Sequence, residues 1–308
     1  MSLWSIISTV VIALGLTSSP VYHLPTIDFV EDGQNKQAIL NDHQVSNQNR
    51  TALPHKLDNG SLGVKITAQS AAVIDKDSGI VLWKKNADQI RSIASITKLM
   101  TAIIFLENKP DWNDSIVLEP RDEANGGTPD IKRGETVRVK DLFHTSLIAS
   151  DNNATLALVR STGLTRDEFV KEMNKKAKSL GLENTHFVGP TGLSDDNKST
   201  AIEILQLAKY AFEHEDINAV AGLAEYNFTS LSGESHRIFS TNQLLSSYLD
   251  IEAGKTGFIN ASGYCIVAEV KGEQANVITV VLGSETNPDR FQDLKILTGW
   301  ILENFDWS

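Results

Sequence analysis

The chain carries a single cysteine, Cys265, in 308 residues. One thiol excludes an intramolecular disulfide. Its place inside the apolar run Gly263–Val270 reads as a small buried hydrophobe, and no histidine partner for a cysteine nucleophile is evident. Paired histidines are also lacking. The seven stand singly at His23, His43, His55, His144, His186, His214 and His236, without the i, i+4 spacing that sets two imidazoles on one helix face. Neither a metal site nor a cofactor is expected. Basic runs are missing too: 28 Lys and Arg stand against 39 Asp and Glu, a net charge of -11. Nothing there could neutralise a phosphate backbone, which excludes nucleic acid as a partner.

The apolar run Leu3–Leu16 is shorter than the roughly 20 residues of a membrane-spanning helix. It ends in Thr17, Ser18, Ser19 and Pro20, which resembles a signal-peptide hydrophobic region and its small-residue exit. No Lys or Arg precedes the run, and no clear Ala-x-Ala site follows. Residues 1–20 are therefore read as an export signal or an N-terminal anchor, with a buried terminal helix as the alternative. Either form of the first reading places the protein outside the cytoplasm, in the cell envelope.

What is present is ordinary globular material, 41% apolar and 22% charged, enough for a core of one or two domains. Residues 21–63 are polar and irregular and read as a tether. Order is expected from Val64, giving a folded unit over 64–308. Ala71–Asp75 and Ile80–Trp83 form a predicted hairpin across a turn-rich connection. Apolar residues at three-and-four spacing predict helices over Ser95–Glu107, Val139–Ala149, Asn153–Arg160, Arg166–Leu180 and Ala201–Phe212. Strands return at Gly263–Val270 and Ala275–Gly283, before a closing helix from about Pro288 to Asn304. Strands at both ends with helices between imply an α+β fold with one sheet built from distant segments.

Three short motifs follow one another: Ser95-Ile96-Thr97-Lys98, Ser150-Asp151-Asn152 and Lys255-Thr256-Gly257. On one helix turn, Ser95 and Lys98 share a face with Cβ atoms about 5–6 Å apart, within reach for proton transfer. A lysine is a poor base at its ordinary pKa unless it is desolvated or lies near another cation. Lys255 is the candidate for that second cation. Ser150 and Asn152 fall between two helical patterns, where a loop can aim a hydroxyl and an amide into a cleft, and the same tripeptide suits a helix cap. Lys255 and Thr256 offer a charge and a hydroxyl to a terminal carboxylate. Gly257 lets a substrate backbone come close, and the N–H groups of Phe258 and Ser95 would form an oxyanion hole.

Ser-x-x-Lys alone is expected about once by chance in a chain of this length, so the order and the flanks carry the weight. The trio is the signature shared by class A β-lactamases and penicillin-binding proteins. The flanking Arg91, Ala94, Thr97, Met100 and Thr101 closely resemble the serine D-Ala-D-Ala carboxypeptidase family, as do Gly192-Leu193, Thr241-Asn242 and Arg290-Phe291. The resemblance spans about residues 65–305. It implies the penicillin-binding-protein and β-lactamase-like fold, an antiparallel sheet from N- and C-terminal segments with helices packed on it and a helical subdomain. It further implies Ser95 as nucleophile, Lys98 as base, Ser150 as proton relay and Asn152 as a partner of the substrate peptide. Lys255, Thr256, Gly257, Phe258 and Arg290 become substrate-binding residues, with a surface arginine at a helix start as the alternative for Arg290. Peptidoglycan stem peptides are the implied substrates, and β-lactam antibiotics the implied covalent inhibitors.

Two departures keep rivals open. Family members commonly carry Gly at the middle of the second motif, whereas Asp151 is the class A β-lactamase spelling. That enzyme's Glu-x-x-Leu-Asn loop is absent, so efficient β-lactam turnover is not expected. A non-catalytic peptidoglycan-binding module is the third reading, and an intact serine and lysine on one turn count against it. With the chain ending at Ser308, the extra β-rich domain and membrane-binding tail of some carboxypeptidases are not expected.

Overall fold

The structure is a computed structural model and describes residues 27–32, 35–40, 53–126 and 128–308. Strand β1 (Ser70–Asp75) turns into β2 (Val81–Lys85). The turn is held where the Asp75 carboxylate accepts the Ser78 N–H at 2.7 Å and Gly79 adopts a φ of +73°. A short 3-10 turn at Ala94–Ile96 leads into α1 (Thr97–Glu107). Helices α2 (Val139–Ile148), α3 (Asn152–Ser161), α4 (Arg166–Ser179), α5 (Ala201–Phe212) and α6 (Glu215–Ala221) follow. Strands β3 (Asp250–Ile259), β4 (Gly263–Lys271) and β5 (Asn276–Ser284) then precede α7 (Asn287–Asn304). The start of α7 has a reciprocal Thr286/Asp289 cap and Pro288 in its first turn.

The central sheet has the order β3-β4-β5-β1-β2, antiparallel throughout. N- and C-terminal segments meet where β5 pairs with β1, Val280 opposite Ala72. Both faces are covered, which is why the strands read as unbroken apolar runs rather than alternating ones. On one face Ile278, Val280, Leu282 and Val267 join the core of α1 and α5. On the other, Val277, Val281 and Ile266 pack with Phe291, Leu294, Leu297 and Ile301 of α7. The period of two along β5 thus divides one strand between two cores. Cys265 is buried with its thiol free, in the expected structural setting.

The segment read as a tether up to Gly63 departs from that reading. His55–Lys56 pairs with Phe305–Asp306, the Leu57 N–H donates to the Asn304 carbonyl at 2.9 Å, and the Trp300 indole donates to Ser61 Oγ at 2.8 Å. Backbone groups over 55–57 are thus taken up by the end of α7 and the residues after it. Ile27–Asp32 and Asn35–Leu40 pair as an antiparallel hairpin. Helix α6 and the hairpin Glu225–Thr229 with Ser235–Phe239 were also not anticipated, being too short for a clear period. The signal or anchor over 1–20 lies outside the described residues. Among the described residues no helix is long and apolar enough to cross a membrane, and no His, Cys, Asp and Glu group could hold a metal ion.

Candidate active site

Ser95 lies in the 3-10 turn at the entrance to α1, one residue after Ala94, whose φ is +46°. Left-handed backbone at a non-glycine residue costs on the order of 1–3 kcal/mol and persists only where packing dictates it. Two glycines do so here. A Cβ on Gly192 would stand 2.0 Å from the Ala94 carbonyl oxygen, and one on Gly257 would stand 3.0 Å from both the Ile93 oxygen and the Ser95 nitrogen. The residue before the serine is thus clamped between the 191–192 turn and strand β3. Because Gly257 lacks a side chain, the Ser95 N–H faces the strand that carries Phe258.

Lys98 is fully buried, with Nζ 3.1 Å from Ser95 Oγ, 2.8 Å from Asn152 Oδ1 and 2.7 Å from the Thr191 carbonyl oxygen. Burial lowers its pKa to about 7, against a smaller opposing pull from Asp151. Of the two causes the sequence left open, desolvation and a nearby cation such as Lys255, desolvation is the larger. In a neutral Lys98 the two N–H groups can go to Thr191 O and Asn152 Oδ1, which only accept, leaving the lone pair for the Ser95 hydroxyl, itself 3.5 Å from Thr191 O. Asn152 is oriented by the same logic, its Nδ2 donating to the Gly126 carbonyl at 3.1 Å.

Ser150 holds a φ of +64°, a second strained non-glycine backbone at the site. Its hydroxyl accepts from Lys255 Nζ at 2.8 Å, and Lys255 also donates to the Thr256 carbonyl at 3.0 Å. Burial holds Lys255 well below the ordinary lysine range, and the charges of Lys98 and Arg290 push the same way. Thr256 Oγ1 lies 2.6 Å from Thr241 Oγ1. Asp151 does not enter the cleft. Its Oδ1 accepts the Ala154 N–H at 2.8 Å as the cap of α3, and its Oδ2 accepts the Asp130 N–H at 2.5 Å.

The structure brings Ser95, Lys98, Ser150, Asn152, Lys255, Thr256 and Gly257 together, with Phe258 exposed at the rim and stacked on Tyr264. Arg290 lies behind β3 and is no surface residue. It is 7% exposed, and its Nη1 donates to the carbonyls of Gly257 at 3.0 Å and Cys265 at 3.3 Å. Burial lowers its pKa to about 10. From Nη1 it bridges β3 to β4 at the Gly257–Cys265 pair. The Thr191 carbonyl was missed, because a backbone acceptor leaves no residue-type signal. Asn197 supports that turn by accepting the N–H groups of Val188 and Gly189 and donating to Thr97 Oγ1, while Thr101 Oγ1 donates to the Pro190 carbonyl.

An α+β frame with helices on both faces of the sheet, serine and lysine on one helical turn, and a second lysine on the facing strand, defines an active-serine acyl-transfer site of the penicillin-binding-protein type. The chain belongs to the D-alanyl-D-alanine carboxypeptidase family of serine peptidases, whose sequence profile matches residues 56–286. It is 33% identical over 229 residues to the D-alanyl-D-alanine carboxypeptidase DacF of Bacillus subtilis, covering 72% of this chain and 59% of that relative. It therefore spans about three fifths of that protein's length. A D-alanyl-D-alanine endopeptidase of Haemophilus influenzae is 36% identical over 203 residues, 65% of this chain and 69% of the relative. Among solved structures, the Streptomyces K15 DD-transpeptidase superposes with a TM-score of 0.74 at 27% identity, over 79% of this chain and 100% of the other. Penicillin-binding protein D2 of Listeria monocytogenes, in its cefotaxime-bound form, gives 0.69 at 30% identity over 78% and 99%.

Proposed function

We propose that this chain is a serine D-Ala-D-Ala carboxypeptidase that removes the terminal D-alanine from peptidoglycan stem peptides outside the cytoplasmic membrane. The observation that carries the reading is the buried Lys98, its Nζ 3.1 Å from Ser95 Oγ and its pKa lowered by burial to about 7. Lys98 takes the hydroxyl proton as Ser95 Oγ bonds to the carbonyl carbon of the penultimate D-Ala. Negative charge on the tetrahedral oxygen is met by the N–H groups of Ser95 and Phe258. The C–N bond then breaks as Ser150 relays the proton held by Lys98 to the departing amine of the terminal D-Ala, which leaves Lys98 neutral. Water attacks the ester, its proton returns through Lys98, and Ser95 is released.

The leaving residue's carboxylate is received by Lys255 and by the Thr256 and Thr241 hydroxyls, and its charge restores the proton that burial disfavours on Lys255. Arg290 serves that pocket by holding the Gly257 carbonyl in place. Asn152 has an N–H left to offer the substrate peptide. The same acylation makes β-lactams covalent inhibitors on Ser95, with slow release. Residues 1–20 supply the export signal or the membrane anchor.

The test is release of D-alanine from a pentapeptide by pure protein, together with labelling by a fluorescent penicillin. Both are expected in the native protein and lost in Ser95→Ala. An unlabelled native protein would favour the non-catalytic binding module, and rapid catalytic nitrocefin hydrolysis would favour the β-lactamase reading.

A further inference from the structure

Lys98 is fully buried, while Ser95, Ser150 and Asn152 beside it are each half-buried at the cleft. The amine must therefore be kept dry from the cleft side. A ring of contacts surrounds it. Lys98 Nζ donates to Asn152 Oδ1 at 2.8 Å, and Asn152 Nδ2 donates to the Gly126 carbonyl at 3.1 Å. A Cβ on Gly126 would stand 3.0 Å from Leu193 Cδ2, so this glycine packs against the leucine. The Leu193 N–H donates to Thr191 Oγ1 at 3.4 Å, and the Thr191 carbonyl accepts from Lys98 Nζ at 2.7 Å, which returns the ring to its start. Four links are hydrogen bonds, and the one between Leu193 and Gly126 is apolar.

That apolar link has a chemical consequence. A leucine side chain neither donates nor accepts, so it gives a water molecule nothing to hold between Thr191 and Gly126. Water within reach of Nζ would restore the hydration that burial removes and would favour the ammonium form. The charges that act on Lys98 come from other elements: Asp151 at the cap of α3, and Lys255 on β3. On the segment of Leu193 itself, Asp195 and Asp196 are exposed, and Asp196 is paired with Lys198 at 2.9 Å. A change of size at position 193 leaves every one of these charges as it was and alters only the access of water.

We propose that Leu193 is a positioning residue for acylation: by spanning from the Thr191 turn to Gly126 it keeps water away from the Lys98 amine until Ser95 attacks. It touches neither substrate nor the reacting atoms and acts through the lysine. The proposal rests on the reading of Lys98 as the base and adds to it the side chain that maintains the base.

The experiment measures stopped-flow acylation by a fluorescent penicillin from pH 5 to 10 in the full chain, as the native protein, Leu193→Ala and Leu193→Met, with thermal melting to verify that each is folded. In Leu193→Ala the midpoint of the acid limb is expected to rise by about one pH unit or more, with the plateau at high pH kept within about twofold of native. The rate at pH 6 then falls about tenfold. Methionine spans the same gap without hydrogen-bonding water strongly and is expected to restore the native midpoint. Where alanine is not tolerated, Leu193→Val reads the same shift in smaller measure. A lowered plateau at an unmoved midpoint would reduce Leu193 to packing and overturn the proposal, and so would a native profile in Leu193→Ala; either leaves Lys98 as the base. A native protein without an acid limb, or without penicillin labelling, would remove the lysine-base reading and this proposal with it.

Discussion

Lys98 Nζ donates to Asn152 Oδ1 at 2.8 Å, and this contact sets where the lysine's lone pair points. The asparagine thereby acts on the base as well as on the substrate. Asn152→Ala is expected to slow acylation by labelled penicillin about 10²- to 10³-fold, the usual scale for losing one preorganised group. Asn152→Asp sets a negative charge against Lys98 and raises its pKa, so the acid limb of the rate profile moves to higher pH. An unchanged profile in Asn152→Asp would mean that the amide does not control the base.

The pH dependence of the native protein follows from the lowered pKa of Lys98, about 7. Only the neutral amine accepts a proton, and the neutral form prevails above the pKa. Acylation should therefore rise from pH 5 and level off above a midpoint near 7. A midpoint near 10 would show Lys98 to be solvated. Stopped-flow labelling across pH 5–9 measures this directly.

Gly192 and Gly134 both have positive φ, +83° and +89°, but their surroundings differ. An alanine Cβ at 192 would meet the Ala94 carbonyl at 2.0 Å, whereas at 134 nothing lies within 4 Å. Gly134→Ala should cost only the left-handed strain, about 1–2 kcal/mol. Gly192→Ala should cost more, about 3 kcal/mol or above, and displace Ser95 with loss of penicillin labelling. Thermal melting of the two variants side by side tests the contrast.

Arg290 bridges two backbone carbonyls from a buried position. Arg290→Leu leaves both without that donor and is expected to lower stability by about 2–3 kcal/mol, together with acylation. A variant with native melting temperature and only a raised KM for carboxylate-bearing peptides would show that the guanidinium meets the substrate directly.

Much of the site was legible because its chemistry needs particular side chains at fixed spacing. Ser95 and Lys98 lie one helical turn apart, so the local chain alone brings them within reach. Asp151 was legible as a cap, since its carboxylate can fold back to the Ala154 N–H three residues on. The helices of the middle region were legible from period, and the sheet from its two ends. Short elements were not: α6 spans one or two turns, and the docked stretch from Pro54 is polar and takes its partners from α7.

By itself the sequence determined which serine and lysine stand one turn apart, the second lysine, and the frame that carries them, because local geometry and apolar period are encoded in neighbouring residues. Tertiary structure alone decided that Lys98 is desolvated, that Thr191 and Asn152 engage its amine, and that Arg290 lies behind the motif strand. Burial and backbone carbonyl positions are sums over segments far apart in the chain, and no spacing within a motif records them.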